Sequence, residues 1–177
     1  MATALDRTDF ELLALLQKNA RLSNKELAAA VGLAPSSCLV RVQRLQKAGV
    51  LRGFHAFVDP AALGIGLQAL IGVQLSQHSR AKLRTFVQHL LERPEVVALY
   101  HVTGAFDFQV HVAVRDPSHL RDLALDAFTS RPEVQNIQTA MLFDTVWKDQ
   151  WPDYSAAAGP SSGPPSRRSS TRRTSRP

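Results

Sequence analysis

Residues 23–45 constrain the fold more than any other part of the chain, because they predict two helices joined by a very short turn. Ser23 and Glu26 have the spacing of a capping box, in which each side chain bonds a backbone N–H at a helix start. Gly32 follows the last position of the apolar stripe, where a left-handed backbone ends a helix. Pro35 suits the first turn of a second helix, where its missing N–H would have no partner. This arrangement is typical of proteins that place a helix in DNA.

The second of these helices is predicted to have two different faces. Cys38, Val42 and Leu45 recur at i, i+4 and i+7 and are expected to face the core. The opposite face carries hydroxyl and guanidinium groups, which can reach phosphates and guanine edges in the major groove. The predicted DNA-binding residues are Lys25 on the first helix of the pair, and Ser36, Ser37, Val40, Arg41 and Arg44 on the second. Spacing alone leaves one alternative open, a helical hairpin that does not bind DNA.

The charge distribution favours a polyanionic partner at both ends of the chain. Of the formal net charge of +6, residues 1–60 carry +3, residues 61–154 carry −2 and residues 155–177 carry +5. The last segment consists mainly of Ala, Gly, Pro, Ser and Arg, and it is predicted to be disordered because it lacks apolar bulk. Its arginines indicate a salt-sensitive contact with phosphates, and the alternative is a merely solvated end.

Length and composition limit the remaining possibilities. A chain of 177 residues with 45% hydrophobic content can form one or two small domains with real cores. A single cysteine, Cys38, excludes an internal disulfide framework, and its place on the inner stripe favours a small buried side chain over a redox switch. The absence of a long apolar run predicts no signal peptide and no membrane contact, and hence a cytoplasmic protein. The histidines lack metal-ligand spacing, so neither a metal nor a cofactor is expected.

A further helix and a strand are predicted on either side of this helical pair. Phe10, Leu13 and Leu16 have helical spacing, so a first helix should share one small core with the other two. After Gly49 the pattern becomes alternating and aromatic as far as Val58, which predicts a strand that leaves the helical part.

The rest of the chain is organised around a short repeat. The sequence Arg-Pro-Glu-Val occurs at residues 93–96 and again at residues 131–134, each time where a helix should end and a strand begin. Helices are predicted over residues 81–93 and 118–131, and strands over residues 67–76, 96–103, 106–115 and 134–147. The order β-α-β-β-α-β predicts a ferredoxin-like fold, with both helices on one face of a four-stranded antiparallel sheet. We expect the other face to be covered by a second copy, through dimerisation of the sheets.

Over residues 4–150 the chain resembles the Lrp/AsnC family, the leucine-responsive and asparagine-type transcriptional regulators of bacteria and archaea. The likeness lies in residues 5–9, 19–23, 34–35, 41–45 and 49–51, and in residues 102–107 (Val-Thr-Gly-Ala-Phe-Asp), which look like the effector-site signature of the family. The resemblance implies an α+β protein with four parts. These are a winged-type helix-turn-helix DNA-binding domain (1–52), a strand linker (53–66), a ferredoxin-like effector-binding and oligomerisation domain (67–150) and a disordered basic tail (151–177).

The same resemblance implies a function. It predicts a transcriptional regulator, not an enzyme, that binds double-stranded DNA as a homodimer or octamer and responds to a small molecule, with an amino acid expected. The implied effector-binding residues are Thr103, Gly104, Ala105, Phe106 and Asp107. The lack of a side chain at Gly104 lets backbone N–H groups face a carboxylate, and Asp107 can pair with an ammonium group. From the residues alone, a plain hairpin turn is the alternative.

Two residues depart from the family pattern. Ala34 stands where serine usually caps the reading helix, a loss of about 1 kcal/mol, and Ala105 stands where a polar residue is common. Two other functions remain open at this stage. One is an architectural protein that compacts DNA without an effector. The other is an enzyme similar to sirohaem decarboxylases, with His101 and His111 as candidate residues, although the intact basic helix argues against it.

Overall fold

The computed structural model describes residues 5–76, 80–148 and 150–154. They form two compact units: the head, made of residues 5–54, 148 and 150–154, and the sheet domain, His55–Trp147. The helices are α1 (Arg7–Lys18), α2 (Asn24–Ala30), α3 (Pro35–Lys47), α4 (Arg80–Leu91) and α5 (Pro117–Leu123). The strands are β1 (Leu67–Leu75), β2 (Val96–His101), β3 (Phe108–Val114) and β4 (Val134–Leu142).

The starts of the first two helices follow from side-chain caps. Asp6 and Asp9 form a capping box at α1, in which each carboxylate accepts from the backbone N–H of the other residue, at 2.9 and 3.0 Å. Ser23 and Glu26 form a second box at α2, as the sequence predicts. Gly32 follows α2 with a φ of +67°, the left-handed conformation that the turn needs. The predicted helix-turn-helix is therefore confirmed.

Helix α3 starts without such a cap. Its N-cap residue is Ala34, which has extended backbone but no side chain that can accept a hydrogen bond. The Asn24 side-chain amide donates to the carbonyl of Pro35 at 2.7 Å, so α2 contacts the first turn of α3 through a different bond. The first N–H groups of α3 therefore lack a side-chain acceptor from the N-cap.

The core of the head is a small cluster between its three helices, formed by Leu12, Leu16, Leu27, Ala28 and Cys38. Cys38 is completely buried, which confirms its prediction as a small core residue, and burial raises the pKa of its thiol. The buried, protonated thiol has little of the thiolate character that redox chemistry needs.

The sheet domain has the predicted β-α-β-β-α-β order. Its strands lie in the order β2-β3-β1-β4, with every neighbouring pair antiparallel, as a ferredoxin-like fold requires. Alternate residues of the two central strands, such as Ile71 and Val110, are buried against helix residues such as Phe86 and Phe128. The side chains of alternate sheet residues and the aromatic side chains from the helices thus form one core.

Several predicted boundaries change for identifiable reasons. The predicted strand leaving the head is wrong, since residues 52–59 form no ladder with any described residue, and a strand exists only with a partner. Strand β4 ends at Leu142 instead of residue 147, because Leu142 already pairs with Gln68 near the start of β1. The helix predicted over residues 118–131 is a regular α-helix only to Leu123 and continues as a π-helical turn, Ala124–Thr129.

Four residues assigned to the tail, 151–154, are described within the head. The backbone N–H of Trp151 donates to the Gln17 side chain on α1 at 2.8 Å. The rest of the predicted disordered tail, residues 155–177, lies outside the described residues. No helix among the described residues is both long and apolar enough to cross a bilayer.

The uncapped start of α3 gives a stability prediction. We expect Ala34→Ser to raise the free energy of unfolding of the head by about 1 kcal/mol, because Ala34 already has the extended backbone of an N-cap. Thermal or urea unfolding measures the change. Ala29→Ser, at an exposed position within α2, is the control and should lower stability by a few tenths of a kcal/mol. Equal shifts in the two variants would contradict this account.

Candidate nucleic-acid interface and effector turn

The outward face of α3 brings together five of the six predicted DNA-binding residues. A shallow depression of about 430 Å³ on the head is lined by Ser36, Ser37, Val40, Arg41 and Arg44. Of these residues, Val40 is 64% exposed, whereas Cys38 and Leu45 on the other side of the helix are buried. Lys25, the sixth residue, is exposed on α2. Hydroxyl, methyl and guanidinium groups on one helical face can contact the hydrogen-bonding base edges and the thymine methyl groups that the major groove exposes.

Two of these residues are also part of an ion-pair cluster with the start of α1. Arg41 Nη1 donates to Asp6 Oδ2 at 2.6 Å and to Asp9 Oδ1 at 3.0 Å. Arg44 Nη2 donates to Asp9 Oδ2. Both arginines therefore link α3 to α1 in addition to facing outward.

Asp9 is the centre of this cluster. Its side chain is completely buried, yet it is satisfied by the Asp6 backbone N–H and by both guanidinium groups. A buried carboxylate is tolerated only when such partners replace its hydration. Sequence reasoning missed this role, because the capping-box spacing of Asp6 and Asp9 indicates a helix start but gives no sign of a contact more than thirty residues away.

The cluster changes the electrostatics of the candidate interface. It pairs two arginines with two aspartates, so the positive charge of the guanidinium groups is locally compensated. The Arg41 side chain and the Asp9 backbone N–H hold the pKa of the Asp6 carboxyl below its usual value. Asp6 is therefore ionised throughout the neutral range and competes with a phosphate for Arg41.

The predicted effector residues lie in the turn between β2 and β3. Thr103, Gly104 and Ala105 are exposed, and Gly104 has a φ of +122° with open space where a Cβ would be. Phe106 is half-buried, and its ring lies 3.0 Å from the position that a Cβ on Gly72 of β1 would take. The turn thus exposes backbone at one end and lies against the sheet at the other.

Asp107 attaches this turn to β1. One of its carboxylate oxygens accepts from the Leu75 backbone N–H at 2.7 Å, and its own N–H donates to the Val73 carbonyl at 2.8 Å. These bonds give Asp107 a structural role that sequence alone does not indicate. They also fix the position of its carboxylate at the end of β1.

The two candidate histidines do not form a common site. His101 pairs with Phe108 across β2 and β3 and stacks on its ring at 4.8 Å, on the helix side of the sheet. His111 lies on the opposite face, where it bonds Gln68 at 2.9 Å, and burial lowers its pKa. Among the described residues, no group of three His, Cys, Asp or Glu side chains could hold a metal ion.

Both units of the chain match known protein families. Residues 5–52 match the model of a winged helix-turn-helix DNA-binding domain, and residues 68–152 match the Lrp/AsnC ligand binding domain. The transcriptional regulator AldR of Mycolicibacterium smegmatis is 43% identical over 143 residues, which cover 81% of this chain and 84% of that protein. The transcriptional regulator AzlB of Bacillus subtilis is 32% identical, over 82% of this chain and 92% of its own length.

Solved structures show the same likeness. The transcriptional regulator NMB0573 of Neisseria meningitidis, solved as a complex with L-Met, superimposes with a TM-score of 0.77 at 30% identity, covering 87% of this chain and 99% of that one. The structure of MtbAldR superimposes with a TM-score of 0.70 at 38% identity, covering 84% and 100%. The relatives are regulators, and the comparisons give no support to an enzyme.

The depressed pKa of Asp6 predicts the response of the head to acid. A carboxyl whose pKa is lower in the folded state stabilises the fold above its unfolded pKa, and this contribution is lost as the pH falls through the folded pKa. We expect wild-type stability to fall below about pH 4 and Asp6→Asn, which has no group to titrate there, to lose less over the same interval. Melting temperatures at pH 7, 4 and 3 measure this. Parallel pH profiles for the two proteins would refute it.

Proposed function

Since the chain belongs to the Lrp/AsnC family of helix-turn-helix transcriptional regulators with a ligand-binding domain, we propose that α3 binds double-stranded DNA in a sequence-specific manner and that an amino acid held by the sheet domain alters this binding. The observation that carries the proposal is the exposed face of α3, where hydroxyl, methyl and guanidinium groups lie together. The proposed site of action is the cytoplasm.

The start of α3 supports a phosphate contact. Its first N–H groups receive no side-chain cap from Ala34, and a helix N-terminus attracts anions through these groups and through its dipole. Ser36 and Ser37 follow immediately and are exposed. We propose that a DNA phosphate takes the place of the missing cap, while Val40, Arg41 and Arg44 face the bases.

The turn after β2 supports the effector proposal. We propose that residues 103–107 contact the amino acid, with exposed backbone N–H groups around Gly104 facing its carboxylate and Asp107 facing its ammonium group. The L-Met complex of the Neisseria meningitidis regulator shows that one structural neighbour binds an amino acid. Ala105 contributes no polar side-chain group to this turn.

Exposed apolar side chains support an oligomer built through the sheet domain. Phe57, Phe143 and Trp147 are largely exposed, and all three line a cavity of about 530 Å³ beside the start of β1. Apolar surface of this kind marks interaction sites in proteins. We propose a homodimer, with an octamer as its further assembly.

The first experiment for this function measures binding to a random pool of duplexes and to the duplex that the protein selects from it, with and without each of the common amino acids. Selective binding that one amino acid alters is the expected result. Tight, salt-sensitive binding without sequence preference or amino-acid response would instead support the architectural alternative. No binding to any duplex would refute the proposal.

Lys25 provides a test of the phosphate contacts. We expect Lys25→Ala to weaken binding about equally on selected and unrelated duplexes, and to reduce the slope of log affinity against log salt by about one. Lys18→Ala removes the same charge from an exposed position of the head at the end of α1, and it is the control. An equal change of slope in both variants would show that Lys25 acts only through net charge.

Gly104 provides a test of the effector turn. We expect Gly104→Ala to reduce the amino-acid response, because an alanine is strained at a φ of +122° and the exposed backbone must change. Gly64→Ala is a matched control, since Gly64 also has a positive φ and open space around it but lies outside the turn. Calorimetric titration of both variants with the active amino acid measures the effect. An unchanged response in Gly104→Ala would remove residues 103–107 from the proposed site, and an equal loss in both variants would show that the effect is not specific to the turn.

A further inference from the structure

The buried carboxylate of Asp9 holds the two arginines that the proposed reading face presents. Each of its oxygens accepts from a different guanidinium group, Oδ1 from Arg41 and Oδ2 from Arg44. We infer that Asp9 is a positioning residue for DNA recognition, which fixes the orientation in which Arg41 and Arg44 meet the base edges. This inference rests on the proposed function of α3.

The geometry leaves both arginines able to donate outward. The bonds within the cluster use Nη1 of Arg41 and Nη2 of Arg44, whereas a guanidinium group has five N–H donors in a fixed fork. The two side chains remain 29% and 45% exposed. A guanidinium held by one edge can therefore present another edge to an acceptor such as guanine.

Positioning matters because arginine is long and flexible. A free arginine side chain must give up its rotational freedom when it binds, and a partner that orders it beforehand removes part of that cost. The carboxylate of Asp9 is well suited to this task, since it is completely buried and is itself fixed by the Asp6 N–H. The Asp9 carboxylate is therefore oriented by a backbone N–H and is shielded from solvent.

Charge compensation indicates whether the cluster serves overall attraction to DNA or discrimination between sequences. Two carboxylates beside two guanidinium groups reduce the attraction of this patch for phosphates, but directional hydrogen bonds to bases remain. Asp9 should therefore affect discrimination between sequences more than overall attraction to DNA. Asp6 differs from Asp9, because its side chain is 52% exposed and contacts only Arg41 of the pair.

Asp9→Asn and Asp6→Asn form a matched pair of variants that test this inference. Each removes one negative charge from the same cluster and keeps an oxygen that can accept from the capping-box N–H. Affinities for the duplex selected by the wild type and for a scrambled duplex are measured across salt concentrations. We expect Asp9→Asn to reduce the ratio of the two affinities about tenfold, and Asp6→Asn to leave that ratio within about twofold of the wild type.

Several outcomes would overturn the inference. An unchanged affinity ratio in Asp9→Asn, or an equal reduction in both variants, would show that Asp9 acts through charge or stability alone. A wild type that binds no duplex selectively would refute the proposed function instead, so the two failures are distinguishable. Circular dichroism of each variant at the binding temperature verifies that the head is folded.

A second measurement applies if Asp9→Asn does not fold. Side-chain NMR of the wild type in its DNA complex should show separate, slowly exchanging Nη signals for Arg41 and Arg44, as expected for guanidinium groups held by a carboxylate. Averaged Nη signals for both residues in the complex would mean that Asp9 releases them on binding, and this result would overturn the positioning role.

Discussion

The organisation of the head depends on the placement of one carboxylate, that of Asp9, away from water. An isolated buried charge is too costly to keep, so its position requires compensating partners. The capping-box N–H of Asp6 provides one, and Arg41 and Arg44 provide the others. The same group therefore starts α1, joins α1 to α3 and orders two side chains of the candidate interface. Removal of Arg41 or Arg44 would leave the buried carboxylate with one partner fewer, so the stability of the head and the order of the candidate interface are coupled at this point of the molecule.

Much of the fold could be predicted because local patterns and tertiary structure agree. The predicted box at Ser23 coincides with a helix start, and the alternation around Val110 coincides with one buried face of β3. Predictions failed where an element depends on a partner. Residues 52–59 alternate as a strand would, but they find no partner among the described residues, and β4 stops where its ladder with β1 ends, at the pair Leu142–Gln68. Alternation of apolar and polar residues indicates which side chains prefer burial, whereas a strand also needs a neighbouring strand with which to form hydrogen bonds.

The candidate sites were predictable as surfaces but not as networks. Helical periodicity is sufficient to place Val40 and Arg44 on the outer side of α3, since only the helix itself decides that. The ion pairs with Asp9 depend on how α1 crosses α3, and no pattern within either helix encodes the crossing. Asp107 is a similar case, because its bond to the Leu75 N–H joins segments 32 residues apart. Resemblance identified the turn, and the structure adds what holds it in place.

On the proposed function, the cluster also distinguishes attraction to DNA from discrimination between sequences. Its two arginines and two aspartates cancel in charge, so the net charge of +3 in residues 1–60 is carried by the other ionisable residues. The proposal predicts that diffusional attraction to DNA depends on this remaining charge, together with the arginines of residues 155–177, and weakens with salt. The same proposal predicts that recognition of bases depends on the geometry of the paired, ordered guanidinium groups, which salt affects much less. We therefore expect the head to approach DNA of any sequence through its other lysines and arginines, and to distinguish sequences through side chains that contribute little to that attraction.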